Sequence, residues 1–295
     1  MDEPIPFLDW AKMALAAYPL RRPAIQFIRH SDNLTFRVTD GRKKYVLRIH
    51  KPRTANFEDL RQQPQAIRSE LQWMDALRRG TGIRVPPVIA ARDGELVTAL
   101  PLPGGAGEVP CSLFGWMDGE PFQPEADSAP DLAVELGRLT ARLHDHAARW
   151  QTPEGFLRPR TGPDHVWQLV DKLSAGVGMG ILAPADFAVL RSLADAIGSL
   201  VEKIDQTPEN YGLIHNDLHT GNWLVHGKGI VPLDFSLCGY GYHLFDIAIA
   251  AGSLGAHRNE LRRMFFDGYC KQRPLTEAYV RYVEAFFIIS ALGYY

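Results

Sequence analysis

The sequence has few features of a secreted or membrane-bound protein. Its three cysteines, Cys111, Cys238 and Cys270, form no CxxC pair and cannot all be joined in disulfides, so reduced thiols are the simplest account. No apolar run approaches the length needed to cross a bilayer, and the N-terminus is acidic rather than basic. We therefore predict a cytoplasmic protein with no membrane partner.

An excess of either charge is also missing. The chain of 295 residues carries 32 Lys and Arg against 34 Asp and Glu, a formal net charge of −2, so nucleic acid is not a favoured partner. Internal repeats and low-complexity segments are absent as well. The hydrophobic share of 46% and the charged share of 22% are ordinary for a folded protein of one large domain or two lobes, and they leave the oligomeric state open.

The first third of the chain is rich in strand patterns. Residues 7–18 have the spacing of a short amphipathic helix, and residues 64–79, ended by Gly80, are predicted to form a second helix with one apolar face. Asp40-Gly41 is a hairpin signal between two of the strands. The predicted strands cover 24–29, 34–39, 44–50, 86–91, 95–100 and 111–116.

Beyond Gly119 the pattern changes to helix. The glycine-rich stretch 101–107 joins strand to strand, so we interpret it as a connector rather than a phosphate-binding loop. A β-rich first part and a helical remainder predict an α+β fold of two lobes, divided near residue 115. The predicted helices of the second part cover 132–150, 165–175, 184–204, 245–253, 260–270 and 276–292.

The most informative segment is Leu213-Ile-His-Asn-Asp-Leu-His-Thr-Gly-Asn-Trp-Leu-Val225, which Val231-Pro-Leu-Asp-Phe235 follows closely. It contains a strand, a polar loop with Asp217 and Asn222, a second apolar run and then Asp234. Phosphoryl transfer from Mg-ATP needs one carboxylate to orient the acceptor hydroxyl and accept its proton. It also needs an amide oxygen and a second carboxylate to hold magnesium. The segment supplies these three oxygen donors in the order that kinases use.

Two other interpretations of this segment stay open. Asp217 and Asn222 could merely shape a turn, since such side chains bond the local backbone. His215 and His219 have the spacing of the histidines in a zinc helix. However, a short apolar run precedes the segment and Gly221 interrupts it, which favours a loop. No Glu lies between the histidines and no third ligand is obvious, which disfavours a zinc site.

The first lobe is expected to supply a cation for the phosphates. Arg48 lies in the mostly apolar run Tyr45-Val-Leu-Arg-Ile-His50, where a charge is costly unless it is paired. Glu70 on the following helix is the natural partner, and this pair would reproduce the strand-to-helix ion pair of kinases. The alternative is that Arg48 points outward from an alternating strand.

The chain resembles the aminoglycoside phosphotransferase and choline kinase (APH) superfamily of kinase-like enzymes, and within it most closely the bacterial homoserine-kinase-type phosphotransferases. The resemblance covers nearly the whole chain, and its specific part is the segment 213–235. It implies a two-lobed protein-kinase-like fold, with a β-rich N-terminal nucleotide-binding lobe over 1–115 and a mainly helical C-terminal lobe over 116–295 that carries the catalytic loop. The supporting patterns are Asn33-Leu-Thr-Phe-Arg-Val38, Tyr45-Val-Leu-Arg-Ile-His-Lys-Pro52, Ser69-Glu-Leu-Gln-Trp73, Leu113-Phe-Gly-Trp-Met-Asp-Gly119, Leu143-His144, Leu233-Asp-Phe-Ser-Leu-Cys-Gly239 and Phe245-Asp-Ile-Ala248.

The resemblance also implies roles for individual residues. Asp217 would be the catalytic base, and Asn222 and Asp234 would hold Mg²⁺ next to ATP. Arg48 would contact the phosphates of ATP, with Glu70 as its salt-bridge partner. The remaining assignments are phosphate contacts for Ser31 and Asn33, adenine contacts for the backbone of Gly115 and Met117, and structural support of the loop for His215 and Asp246.

The acceptor is predicted to be a small molecule with a hydroxyl group. Little more than a tight turn separates Asp234 from Asp246, whereas protein kinases use this interval for a long activation segment. The late helices mix acidic and basic residues, so they do not indicate the acidic pocket that a polycationic aminoglycoside would need. We favour a homoserine-like alcohol. The alternatives are an aminoglycoside kinase, a protein Ser/Thr kinase and a catalytically silent nucleotide-binding regulatory protein.

Overall fold

The structure is a computed structural model that describes residues 5–31, 33–51, 60–102, 107–255 and 259–293. The chain divides into two compact units. The first contains Met1–Asp118 together with Thr152–Arg158, and the second contains Gly119–Gln151 together with Pro159–Tyr295. Within the described ranges, none of the helices combines the length and the apolar character needed to span a membrane.

The first unit is built mainly from an antiparallel sheet and two helices. Its elements are α1 (Ile5–Leu15), β1 (Ala24–His30), β2 (Leu34–Asp40), β3 (Lys43–Ile49), α2 (Pro64–Gly80), β4 (Val88–Ile89), β5 (Thr98–Pro101) and β6 (Glu108–Gly115). The strand order is β1-β2-β3-β6-β4, and β5 also pairs with β6. The core of the sheet is apolar and includes side chains from α1, β2, β3 and β6.

Two short connections fix the register of this sheet. The predicted β2–β3 hairpin is present, but its turn is Gly41-Arg42, one residue later than the Asp40-Gly41 signal. Gly41 has a φ of +62°, which glycine adopts without a steric cost. The β5–β6 connection is closed by the N–H of Leu102, which donates to the carbonyl of Gly107 at 2.8 Å. The predicted glycine-rich connector therefore joins strand to strand, although 103–106 lie outside the described residues.

Two predicted strands are shorter in the structure. Strands were predicted over 86–91 and 95–100, whereas β4 has only two residues and β5 begins later. Pro86-Pro87 has no N–H groups to donate to a strand ladder. The following residues form a turn, in which the N–H of Ala91 donates to the carbonyl of Glu95 at 2.8 Å.

Helix α2 buries the apolar face that its spacing predicted. Ile67, Leu71, Met74 and Leu77 are all buried, and each such side chain contributes roughly 1.5–3 kcal/mol to folding. Proline is favourable in the first turn of the helix, where its missing N–H has no partner to lose. The buried side of the helix also includes Glu70, whose side chain is only 2% exposed.

Helices dominate the second unit. They are α3 (Ala129–Arg149), α4 (His165–Gly178), α5 (Pro184–Val201), α6 (His243–Ser253), α7 (Asn259–Cys270) and α8 (Glu277–Gly293), with strands β7 (Tyr211–Ile214), β8 (Trp223–His226), β9 (Gly229–Pro232) and β10 (Gly239–Tyr242) between them. Strand β7 pairs with β10, and β8 pairs with β9, both in antiparallel orientation. A β-rich first unit and a mainly helical second unit confirm the predicted α+β fold class.

Helices α3 and α7 pack at unusually short range. A Cβ atom on Gly137 would lie 2.0 Å from the carbonyl oxygen of Phe265, and one on Gly268 would lie 2.0 Å from that of Val134. The two glycines therefore face the partner helix, and their missing side chains allow the backbones to approach.

Strand β10 occupies an interval that was predicted to be a tight turn. Between Asp234 and Asp246 the chain forms a short 3-10 turn and then β10, which pairs along β7. Its other edge is also bonded. Tyr240 donates its N–H to the carbonyl of Pro159 at 2.8 Å, and its carbonyl accepts from the N–H of Thr161 at 2.7 Å. The alternation of glycine and tyrosine concealed the strand, because glycine is depleted in strands.

Candidate active site

The polar loop after β7 is fixed to helix α6 by a buried carboxylate. The side chain of Asp246 accepts hydrogen bonds from the backbone N–H groups of His215 at 2.8 Å and Asn216 at 2.6 Å. Burial raises the pKa of Asp246, while the nearby His215 and the two backbone donors oppose that rise. The loop is thus held at its backbone, in keeping with the supporting role expected for Asp246.

The imidazole of His215 connects the loop to the end of β9. Its Nε2 lies 2.8 Å from the carbonyl oxygen of Leu233, which can only accept. Burial lowers the pKa of His215, so the neutral ring with its proton on Nε2 fits this contact. The N–H of Leu233 in turn donates to the carbonyl of Asn222 at 2.7 Å. This chain of contacts brings Asn222 next to the residue that precedes Asp234.

Asp217 and Asn222 are in direct contact. The amide nitrogen of Asn222 lies 2.5 Å from Oδ2 of Asp217 and 3.0 Å from its carbonyl oxygen. Because an amide group is planar, this contact turns the amide oxygen of Asn222 to the opposite side, where it is suited to a cation. The contact with the backbone carbonyl shows that the pair shapes the loop, and its role in catalysis stays a prediction.

Asp234 has a strained backbone. Its φ of +54° and ψ of +70° lie in the left-handed region, which costs a residue other than glycine about 1 kcal/mol or more. Ser236 donates its hydroxyl to Oδ1 of Asp234 at 2.8 Å. Strain of this kind commonly marks functional positions, and a fixed carboxylate oxygen suits a hard cation.

A zinc site at His215 and His219 does not fit the structure. The ring of His215 is engaged with Leu233, and the segment around the two histidines is a loop with a short 3-10 turn. Within the described parts of the chain, no three His, Cys, Asp or Glu side chains are grouped as metal ligands. The oxygens of Asn222 and Asp234, the two predicted metal ligands, are of the type that suits magnesium instead.

Behind Asp246 lies a buried polar cluster that the sequence analysis did not assign. His144 on α3 directs Nε2 toward Asp246 at 3.3 Å and Nδ1 toward the hydroxyl of Tyr269 at 2.8 Å. The ring of His243 stacks on His144 with centroids 4.2 Å apart. Burial lowers the pKa of both histidines well below the ordinary value. The only sequence signal was the Leu143-His144 pattern, which indicated the family but no contact.

The first unit contains the expected ion pair. Nη1 of Arg48 lies 3.1 Å from Oε1 of Glu70, and their side chains are 13% and 2% exposed. The guanidinium also lies over the ring of Phe114, at 5.0 Å from its centroid. Arg48 therefore does not point outward from the sheet into solvent. A largely buried guanidinium, with its planar set of N–H donors, is suited to phosphate.

The remaining predicted residues lie at two places in the first unit. Ser31 and Asn33 flank the β1–β2 turn, where the N–H of Ser31 donates to the carbonyl of Asn33 at 3.2 Å; residue 32 lies outside the described residues. Gly115 ends β6 and donates its N–H to the carbonyl of Pro87 at 2.8 Å, so only its carbonyl suits a contact with adenine. Met117 follows two residues later and is half-buried.

The fold thus assembles the predicted residues in separate groups. Within the second unit, loop contacts bring Asp217, Asn222 and Asp234 together. Within the first unit, Arg48 and Glu70 form a buried pair. Two carboxylates with an amide in one group, and an arginine in the other, are the residue types that phosphoryl transfer uses.

Comparisons with known proteins identify the family. The model of the phosphotransferase enzyme family APH matches residues 24–282. Amicoumacin kinase of Bacillus subtilis (strain 168) is 24% identical over 285 residues, which are 92% of this chain and 79% of that protein. The structure of the microcompartment-associated aminopropanol kinase is 27% identical, with a TM-score of 0.78 over 97% of this chain and 87% of that one. Amicoumacin kinase hAmiN in complex with AMP-PNP, Ca²⁺ and Ami is 23% identical, with a TM-score of 0.79 over 99% of this chain and 84% of that one.

These likenesses confirm the predicted two-lobed protein-kinase-like fold. The closer likeness to homoserine-kinase-type phosphotransferases stays a prediction. Because the family model spans most of the chain and the fold agrees, the protein belongs to the APH phosphotransferase enzyme family and is a kinase.

Proposed function

We propose that this kinase transfers the γ-phosphate of ATP to a hydroxyl group of a small polar molecule, with Mg²⁺ as the cation. The observation that carries the proposal is the joint placement of Asp217, Asn222 and Asp234 by the loop contacts. Asp217 would orient the acceptor hydroxyl and accept its proton. Asn222 and Asp234 would offer oxygens to Mg²⁺, which when bound neutralises charge on the phosphates.

The nucleotide would bind through the first unit. Arg48 would donate to the phosphates while Glu70 fixes the direction of its planar guanidinium, an arrangement that the short buried ion pair supports. Ser31 and Asn33 would contact phosphates at the β1–β2 turn. The carbonyl of Gly115 and the backbone of Met117 would bind adenine.

A small amino alcohol is the acceptor class that we favour. Homoserine, to which the sequence pointed, belongs to this class, and so does the aminopropanol named for the 27% identical structure. A protein acceptor is disfavoured because β10, bonded on both edges, fills the interval in which protein kinases dock peptide. The curated relative named amicoumacin kinase favours an antibiotic as the second candidate acceptor.

The nucleotide part of the proposal is tested by thermal shift with ATP and GTP, with and without Mg²⁺. We expect a magnesium-dependent rise in the melting temperature of the wild type that Asp234→Ala abolishes. Ligand at 100 times its Kd stabilises by about 2.7 kcal/mol, which is a shift of several degrees for a chain of this size. A well-folded wild type that shows no shift at saturating nucleotide would contradict the proposal.

The catalytic part is tested by ADP release with homoserine, 1-amino-2-propanol and amicoumacin as acceptors. Asp217→Ala should lower turnover by about a thousandfold or more, because the acceptor hydroxyl loses its base. Its melting temperature should fall by a few degrees at most, because Asn222 keeps its bond to the backbone carbonyl of residue 217. Release of ADP at the wild-type rate by Asp217→Ala would exclude the assigned role.

A further inference from the structure

We propose that His219 is a positioning residue that holds the second carboxylate oxygen of Asp217. The inference rests on the proposed function, in which Asp217 is the base. It concerns a histidine that the sequence analysis considered only as a zinc ligand.

One ring nitrogen of His219 is committed to the backbone. The N–H of Gly221 donates to Nδ1 of His219 at 3.0 Å. Because a backbone N–H can only donate, Nδ1 must accept, and the proton of the neutral ring is on Nε2. The tautomer of His219 is thus set by the short turn that contains Gly221.

The protonated nitrogen faces the catalytic carboxylate. Nε2 of His219 lies 3.7 Å from Oδ1 of Asp217, while Oδ2 receives the amide of Asn222 at 2.5 Å. The distance of 3.7 Å exceeds a hydrogen bond, but catalytic contacts often tighten when the substrate is bound. Oδ2 of Asp217 thus has a donor in Asn222, and a short movement of the ring would make His219 the donor to Oδ1.

This arrangement matters because a carboxylate rotates easily. The terminal torsion of Asp has a broad energy profile, so one contact leaves the plane of the group loosely defined. Contacts at both oxygens fix that plane. Each oxygen still keeps a lone pair for the proton of the acceptor, so positioning does not block the base.

The space for the ring is provided by Gly221. A Cβ atom at Gly221 would lie 2.7 Å from Cε1 of His219, closer than van der Waals contact allows. Any side chain at this position would displace the imidazole from Asp217. The same glycine thus supplies the N–H donor and the room for the ring.

Two variants separate positioning from simple capping of the turn. In His219→Asn the amide oxygen replaces Nδ1, so the bond from Gly221 is kept and the donor to Asp217 is lost. In His219→Gln the amide nitrogen replaces Nε2, so the donor is kept and the cap is lost. ADP release and melting temperature are measured for both, with 1-amino-2-propanol, homoserine and water alone as acceptors.

We expect His219→Asn to keep the melting temperature and the KM for ATP but to lower kcat about tenfold, because the base loses its orientation. His219→Gln should keep kcat within about threefold, and loss of the cap should lower its melting temperature by a few degrees. A His219→Asn enzyme with the wild-type kcat, or a His219→Gln enzyme no faster than His219→Asn, would overturn the inference.

Asp217→Ala, measured in the same assay, separates this inference from the proposed function. An inactive Asp217→Ala beside a fully active His219→Asn overturns only the role of His219. An active Asp217→Ala, or a wild type that releases no ADP with any of these acceptors, overturns the proposed function and the inference with it.

Discussion

At the scale of single residues, the pair of Arg48 and Glu70 combines a structural and a functional demand. Breaking a buried ion pair leaves one charge unpaired and costs about 3–5 kcal/mol, whereas replacing both partners with apolar residues is often neutral. The proposed contact with phosphate, by contrast, would need the guanidinium itself. Stability and nucleotide affinity therefore respond differently to changes at these positions.

Arg48→Ala should raise the KM for ATP and destabilise the fold, because Glu70 stays buried without its partner. The double variant Arg48→Met with Glu70→Leu should recover much of the stability while the KM for ATP stays high. Steady-state kinetics and urea unfolding measure the two effects. Wild-type ATP kinetics in Arg48→Ala would rule out the phosphate contact.

At the scale of elements, the glycines of α3 and α7 set how closely two helices approach. Gly137→Ala should destabilise the protein by about 1–3 kcal/mol, because its Cβ would overlap the backbone of α7. Urea unfolding followed by circular dichroism measures the loss.

Gly176→Ala in α4 is the matched control. A Cβ at Gly176 would make an ordinary contact, 3.6 Å from that of Leu182. Because alanine is the better helix former, this variant should be neutral or stabilise by about 0.5–1 kcal/mol. Equal losses at Gly137 and Gly176 would show that helix propensity, not packing, is the cause.

The same scale shows which elements a sequence pattern can predict. Helix α2 and the helices of the second unit were predicted because long apolar periodicity reports burial directly. Strand β10 was not predicted, and the strand that contains β4 was predicted too long. The extent of a strand depends on its partners: β10 is bonded by β7 on one edge and by residues 159–161 on the other. Local propensity carries no information about such partners.

At the scale of the whole molecule, buried histidines make stability depend on pH. Burial holds the pKa of His144 and His243 well below the value in the unfolded chain, near 6.5. Below about pH 6.5 the unfolded chain binds more protons than the folded chain. The stabilisation is therefore fully present above about pH 6.5 and is lost as the pH falls below that value. Asp246 acts in the opposite sense, because burial raises its pKa, and it offsets part of the loss in acid.

We therefore expect the free energy of unfolding to decrease between pH 7.5 and pH 5 by up to about 1.4 kcal/mol per pH unit for each buried histidine. Urea titrations at several pH values measure this slope. His243→Phe keeps a ring to stack on His144 and removes one titrating group. The slope of its unfolding free energy against pH should therefore be smaller by up to about 1.4 kcal/mol per pH unit. An unchanged slope in this variant would contradict the contribution of His243 to the pH dependence of stability.

How much of the site could be predicted from the sequence depends on how far apart along the chain its contacting residues lie. Asp217, Asn222 and Asp234 lie within one segment, so their spacing was sufficient to predict their proximity, while their catalytic and metal-binding roles stay predictions. The contact of His144 with Tyr269 joins residues 125 positions apart, and no spacing rule reaches that far. His219 is a third case. The sequence analysis noticed this residue, but the orientation of its imidazole ring depends on the backbone N–H of Gly221, two residues later.

Strand β10 has a consequence for control of the enzyme. A molecular switch needs a segment with two arrangements of similar energy, and in protein kinases the interval after the metal-binding aspartate is that segment. Here the interval is short and is bonded along both edges of β10. The rate of phosphorylation would then depend on the concentrations of acceptor, nucleotide and enzyme, and not on a change of state in this segment.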